Sequence, residues 1–420
     1  MLQRRKIISH EYLWLKPNFN ILLAFRCKDK DSVNFVAEKL INSMAIFHTH
    51  AEGDEFVFKK RDVPIYKIPK NITSLRDQAY FVDDNFAKMP DVNLGTIAVS
   101  DDSVVISGSH ALYDGGTVVD ICRSLSRGVE LPELKLPVSS FDPFVKEMEK
   151  APGNMAGFNA DPKITLFHSK DTLYKGSRNT CDNVTTHIYE DEFICYDKKD
   201  KKLHGLSENY FSAFTLALNA MNGKFSKAGL WEVVGTRPFS EKGYDVRQGQ
   251  FLVSIPVYSE VDENSTVGEM KKKFRNDFDT KMKDKLYFSS LKCSKYGYLD
   301  LPPLKGDPPM ISMIGNFECK GPITDAHLSI GTAGEYPFGH VPFITYSVDN
   351  GNGRKRFDIQ NLVSRRILSI REAQSIGELT VTALKSIKDE MKVGDAIEVL
   401  KQKKAEIYHR LRSIDRVIRF

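Results

Sequence analysis

The sequence has no Cys-x-x-Cys pair. Its six cysteines, Cys27, Cys122, Cys181, Cys195, Cys293 and Cys319, lie far apart, so neither a zinc knuckle nor a redox dithiol is expected. In a chain of 420 residues they need not form a disulfide framework, and free thiols in a reducing compartment are the expected state. No stretch approaches the ~18 apolar residues of a membrane span. The basic start Met1-Leu2-Gln3-Arg4-Arg5-Lys6 is not followed by an apolar run of signal-peptide length, because Ser9, His10, Glu11 and Lys16 interrupt it. The sequons at Asn71, Asn183 and Asn264 therefore carry little weight, and the expected location is the cytoplasm. Internal repeats and low-complexity tracts are absent, which excludes solenoids and disordered arrays. Charge of one sign is not in large excess. The net charge is +5, spread along the chain, and does not argue for nucleic acid. What the chain does have is 41% apolar residues, enough for a sizeable core in roughly two to three domains or one large two-lobed unit.

Strand and helix patterns alternate along it. Residues 20–25 read as a buried strand, and Val33, Val36, Ala37, Leu40, Ile41, Met44 and Ala45 give helical spacing over 33–47. Residues 55–59 and 65–68 alternate like strands. Residues 94–100 and 103–107 form a hairpin around Asp101-Asp102, and 116–127 a helix entered through glycines. Periodicity fades over 151–186, which holds Pro152-Gly153, Pro162 and Gly176-Ser177-Arg178-Asn179. Beyond it come a strand at 187–189 and a helix signalled by Ser207-Glu208-Asn209. Strands at 230–234 and 251–255 follow. Ser265 is the expected cap of an amphipathic helix carrying Val267, Met270, Phe274, Phe278 and Met282. A short strand over 311–314 ends at Gly315-Asn316, and 343–348 is strand-like. The expected class is α/β, two sandwiches of similar type. The expected division is an N-terminal lobe over 1–150, a crossover linker over 151–186, a C-terminal lobe over 187–395 and a basic helix over 396–420.

The informative element is His110-x-x-x-Asp114-Gly115, placed between a strand and a helix. A strand end in a glycine-rich loop holds a side chain rigidly in a cleft. Neutral imidazole is the natural base near pH 7 for removing a proton from an alcohol or amine. Asp114 followed by two glycines permits a tight turn, and its carboxylate can pair with an arginine and lock the loop. Gly115 leaves room for close approach and exposes a backbone N–H.

The full string Ser109-His110-Ala111-Leu112-Tyr113-Asp114-Gly115-Gly116-Thr117 resembles the signature of the chloramphenicol-acetyltransferase-like superfamily. That group includes alcohol acetyltransferases, polyketide-associated and plant acyltransferases, and condensation domains of peptide synthetases. Val233-Val234-Gly235-Thr236-Arg237-Pro238, followed by Gly249-Gln250-Phe251, resembles its arginine-bearing strand and later glycine–aromatic segment. Ile311-Ser312-Met313-Ile314-Gly315-Asn316 resembles a weaker, permuted form of its Ser-Asn-x-Gly strand end. Ser109 stands where condensation domains usually carry a second histidine, and the plant-type Asp-Phe-Gly-Trp-Gly motif is missing. The resemblance is thus nearest to the alcohol-acetyltransferase and polyketide-associated groups. It implies a two-lobed fold with a tunnel between the lobes and His110 as general base. Asp114, Gly115 and Arg237 would be structural, with Arg237 the salt-bridge partner of Asp114. Ser312 and Asn316 would be candidates for the oxyanion side. It also implies a monomer with acyl-coenzyme A as co-substrate, a small alcohol or amine as acceptor, and no permanently bound cofactor. Two alternatives stay open: a carrier-protein-dependent condensation-type enzyme, and a silent acyl-coenzyme A-binding member.

Other features read more plainly. His48 and His50 straddle Thr49, as on one face of a strand, and lack the further ligands a metal needs. His187, His204, His327 and His340 are isolated. Gly331-Thr332-Ala333-Gly334 lacks the Lys-Ser/Thr pair of a phosphate loop. Lys271-Lys272-Lys273 reads as a solvated helix face, with contact to a coenzyme A tail as the sharper alternative. The terminus 401–420 has seven Lys/Arg against two acidic residues, with Leu411, Ile414 and Ile418 at near-helical spacing. It reads as docking on a lobe, with a partner protein or a membrane surface as alternatives.

Overall fold

The strand Phe19–Cys27 is an almost unbroken apolar run, because both of its faces are covered. Ile21, Leu23 and Phe25 pack with Val33, Val36, Ala37 and Leu40 of helix Lys30–Ile41. Leu22 and Ala24 face the other way, onto Leu75, Ala79 and Val82 of helix Leu75–Phe86. The structure, a computed structural model, describes residues 2–152, 163–171, 181–296, 306–332, 341–364 and 367–411. In it this strand is an inner strand, second from one edge, of a five-stranded sheet. The order is Ile323–Thr332, Phe19–Cys27, Ser103–Ser109, Gly95–Val99, Ile65–Lys67.

A six-stranded sheet forms the second lobe, in the order Leu252–Tyr258, Gly229–Gly235, Pro309–Glu318, Val341–Asp349, Arg356–Ser364, Cys181–Tyr189. Leu230, Ile311, Phe343 and Ile359 point into a large core shared with helices Leu206–Asn222, Val267–Lys283, Ile370–Ser386 and Val393–Leu411. Phe214 stacks on Phe343 there with ring centres 4.4 Å apart. Residues of the opposite parity on two of these strands, Ile344, Tyr346 and Leu362, join the core of the first lobe. One sheet therefore feeds two cores through the period-two alternation of its strands, and the lobes are packed against each other.

The chain does not keep to one lobe on each side of 151–186. Ile323–Thr332 pairs antiparallel with Phe19–Cys27 in the first sheet. In the other direction, Phe141, Phe144 and Met148 sit in the second core. Much of the expected linker, 153–162 and 172–180, lies outside the described residues. So do Gly334, His340, Ile414 and Ile418.

Several local expectations are corrected. The helix expected over 33–47 ends at Ile41, and Ala45–His48 is a separate 3₁₀ turn. His48 and His50 therefore do not share a strand face: His48 ends that turn and His50 lies in Thr49–Glu52. Thr266, not Ser265, caps helix Val267–Lys283, in a reciprocal pair with Glu269. Ser265 instead bonds Asp262 one turn earlier. Ser207 lies inside helix Leu206–Asn222, which is entered through Gly205 at φ +62°. The strand expected over 311–314 runs Pro309–Glu318, because Gly315 at φ +124° absorbs a bulge that would otherwise end it. The C-terminal helix begins at Val393 and buries Ile397, Leu400, Ile407 and Leu411 against the second lobe. Cys27, Cys122, Cys195, Cys293 and Cys319 are free thiols. Among the described residues no helix is long and apolar enough to cross a membrane.

Candidate active site

Strand Ser103–Ser109 delivers His110 at its end, and helix Gly115–Arg127 starts five residues later. The His110 N–H donates to the Phe19 carbonyl at 2.8 Å. Its ring Nδ1 lies 3.0 Å from the Tyr113 carbonyl oxygen. A carbonyl only accepts, so this bond assigns the proton to Nδ1 and leaves Nε2 as a lone-pair acceptor. Trp14 packs on the imidazole at 4.2 Å between ring centres and Phe19 at 5.6 Å. His110 is 8% exposed. Burial pushes its imidazole down to about 4, against the opposing charge of Asp114 and the bond to Tyr113. The ring is therefore neutral at pH 7.

Asp114 is tied down from three sides. Its side chain caps the helix it precedes, accepting from the Thr117 N–H at 3.0 Å. It accepts from the Phe251 N–H at 2.8 Å, across from the second lobe. Arg237 completes it: Nη1 meets Oδ2 at 2.7 Å and Nη2 meets Oδ1 at 2.6 Å. The expected partner is thus in place, as a two-point fork. Arg237 is itself held by the carbonyls of Val246 at 2.8 Å and Gly249 at 3.0 Å, and by the Thr117 hydroxyl at 2.9 Å. Its guanidinium lies over the Phe251 ring at 5.1 Å. Burial would raise the Asp114 carboxyl. The charge of Arg237 and the N–H donors outweigh it and hold the group below its usual value.

The two glycines differ. A Cβ on Gly115 would meet the Ile314 side chain at 3.0 Å, whereas one on Gly116 would lie 2.4 Å from Arg237 Nη1. Gly116, read from the sequence only as part of a tight turn, is the one that admits the arginine. Ile311 points into the second core, so Ser312, half-buried, faces the other way. Asn316 lies beyond the bulge, exposed, and accepts from the Ser347 hydroxyl at 2.8 Å. No hydrogen bond among the described residues joins Ser312 or Asn316 to the loop.

The first helix, Ser9–Leu15, was also missed. It carries both Trp14 and His10, which is 6% exposed. The signal was available as an aromatic pair four residues apart, hence on one helix face. The other histidines stay away from this centre. His48 Nε2 is 2.9 Å from the Ile41 carbonyl, and His327 Nε2 is 2.7 Å from the Ser329 hydroxyl. No group of three or more metal-type ligands occurs among the described residues.

Lys271 and Lys272 line a surface groove of about 680 Å³ on the second lobe. Arg275, Lys388, Glu208, Asp389 and Glu390 also line it, and no residue of the loop contributes. Lys271 is engaged with Asp389 at 2.6 Å. Four basic residues and three acidic ones line the groove.

No family model matches the chain, and no curated protein matches it in sequence. Solved structures do match in fold, over nearly the whole length. The chain has the mixed α/β, two-lobed condensation-domain fold. One match is the epimerization domain from the third module of tyrocidine synthetase B, at TM-score 0.61 and 13% identity, covering 96% of this chain and 98% of that one. A second is polyketide synthase associated protein 5 from Mycobacterium tuberculosis, at TM-score 0.61 and 11% identity, covering 91% and 98%. A third is the condensation domain of the Monacolin K polyketide synthase, at TM-score 0.60 and 10% identity, covering 93% and 99%.

Proposed function

We propose that this chain is an acyltransferase that moves an acyl group, in the simplest case acetyl, from a coenzyme A thioester to an alcohol or amine. The observation that carries the reading is the state of His110. Its Nδ1 is committed to the Tyr113 carbonyl, which leaves Nε2 as a base on a buried, neutral ring. In this reading the thioester and the acceptor reach His110 from between the two lobes. Nε2 takes the proton of the acceptor as its oxygen or nitrogen attacks the thioester carbonyl carbon. The tetrahedral oxyanion collapses, the C–S bond breaks, and the leaving thiolate takes the proton back from His110. Such a base contributes typically ~10²–10⁴-fold, and positioning of two substrates can add several kcal/mol. Ser312 is the candidate donor to the oxyanion. Asp114 and Arg237 touch no reacting atom in this scheme; they fix the loop.

The test is thiol release from acetyl-coenzyme A with a panel of alcohols and amines, comparing wild type with His110→Ala. Release that persists unchanged in the variant overturns the assignment. A second reading, an acyl group delivered on a carrier protein, is favoured by one finding: two of the fold matches are domains of a peptide synthetase and a polyketide synthase. Turnover with a carrier-bound thioester and none with acetyl-coenzyme A decides for it.

A further inference from the structure

We propose that His10 is an acceptor-positioning residue, whose imidazole holds a second hydroxyl or amino group of the acceptor beside the group that His110 deprotonates. The acceptor class is then a diol, polyol or amino alcohol rather than a simple monoalcohol. The proposal rests on the acyl-transfer reading above.

The helix Ser9–Leu15 lies at the junction of the lobes and is anchored to both. Glu11, buried, takes a two-point bond from Arg5 at 2.7 and 2.8 Å. The Ser9 hydroxyl reaches across to the Ser294 carbonyl at 3.0 Å. From this fixed helix Trp14 packs on the His110 ring, and His10 sits one turn earlier on the same face. The His10 ring lies nearly parallel to Phe141, 6.1 Å between centres and 11° between planes. Its Nδ1 is buried and has no hydrogen-bond partner among the described residues. Ser140, next to Phe141, has a second buried atom of the same kind, its Oγ.

Buried polar side-chain atoms are almost always paired, and leaving one unpaired costs about 1–3 kcal/mol. Two such atoms, one on the His10 ring and one on the residue before its stacking partner, are groups that a hydrogen-bonding ligand would satisfy. The two imidazoles also sense each other. Burial first, and then the charge of His110, push His10 down to about 4. Both rings are neutral at pH 7, so they do not repel, and His10 offers a donor and an acceptor without competing as a cation.

The experiment uses the full chain, acetyl-coenzyme A, and two acceptors of matched size, a 1,2-diol and its monodeoxy alcohol. His10→Phe keeps an aromatic ring against Phe141 and removes the polar atoms. It should raise KM for the diol about tenfold or more, and raise KM for the monoalcohol several-fold less than that. His10→Gln, which keeps a donor and an acceptor, should recover most of the discrimination. Ser140→Ala removes one oxygen atom and carries the same comparison should the larger ring fail to fold. Equal losses on both acceptors, or no loss on either, overturn the role of His10 while leaving acyl transfer standing. Absence of thiol release by the wild type with every acceptor overturns the acyl-transfer reading, and the His10 role falls with it.

Discussion

At Asp114 every approach to the carboxylate is occupied: Thr117, Phe251 and both ends of the Arg237 fork donate to it. At His110, in the same loop, one nitrogen is engaged with Tyr113, and the ring is otherwise enclosed by aromatic faces. Both residues are buried and titratable, yet the first is saturated and the second, among the described residues, keeps a free lone pair on Nε2. Saturation holds a charge in place, and the free lone pair leaves one atom able to take a proton. The loop thus divides its labour between a brace and a base, and substitutions at the two ends should fail in different ways.

The largest effect is expected at the base. His110→Ala should lower kcat by about 10²–10⁴-fold while unfolding stays cooperative. Turnover assays run beside denaturant titrations read both quantities. A variant that unfolds without having lost its chemistry breaks the division.

At the brace the loss should be structural. Arg237→Met leaves the Asp114 carboxylate buried without its cation, a change that costs about 3–5 kcal/mol. The urea midpoint measures it. Arg237→Lys should recover only part, because one ammonium cannot serve Asp114, Thr117, Val246 and Gly249 together. Equal stability for Met and wild type overturns the brace.

Acid separates the two ends along the pH axis. His10 and His110 are each lowered from 6.5 to about 4, so between those values the unfolded chain binds more protons. Stability should fall as pH drops from 6.5 to 4, by up to roughly 3 kcal/mol for each ring. Asp114 works in a lower window. Its carboxyl is held below 3.8, so its contribution is complete above that value and is lost only as pH falls through the folded one. Urea midpoints at pH 7, 5.5 and 4.5 should show the first decline, made shallower in His10→Phe. An identical slope in that variant removes His10 from the account.

How much of this was legible in the sequence follows from how local each signal is. Strand Phe19–Cys27, the hairpin Gly95–Val99 with Ser103–Ser109, and the helix after Asp114 all rest on short-range patterns, and they stand in the structure. The Asp114–Arg237 pair spans 123 residues and was reachable only through a family resemblance. The pairing of Ile323–Thr332 with Phe19–Cys27 was not legible, because nothing in a strand's own sequence names its partner. Thr266 displaced Ser265 as a cap because both residue types suit that position and Glu269 matches only one of them. Asn316 was drawn toward the site by a motif, and the bulge at Gly315 turned it to Ser347 instead. His10 was hidden for another reason: a short helix near the chain start invites only a question about export.

The smallest effect sharpens the comparison most, because it tests a residue with no functional group. Gly116 is the first-turn glycine whose added Cβ would lie 2.4 Å from Arg237 Nη1. The guanidinium has nowhere to retreat, since Val246, Thr117, Gly249 and Asp114 all hold it. Alanine in a helix normally gains about 0.5–1 kcal/mol over glycine. Here overpacking should reverse that sign, for a net loss of about 1–3 kcal/mol. Gly235→Ala is the control: it sits on the strand leading to Arg237, and nothing among the described residues lies within 4 Å of an added Cβ. Gly116→Ala should lower the urea midpoint and Gly235→Ala leave it nearly unchanged. If the two variants are equally stable, the brace tolerates a shifted arginine, and the second glycine of the loop has no part in positioning His110.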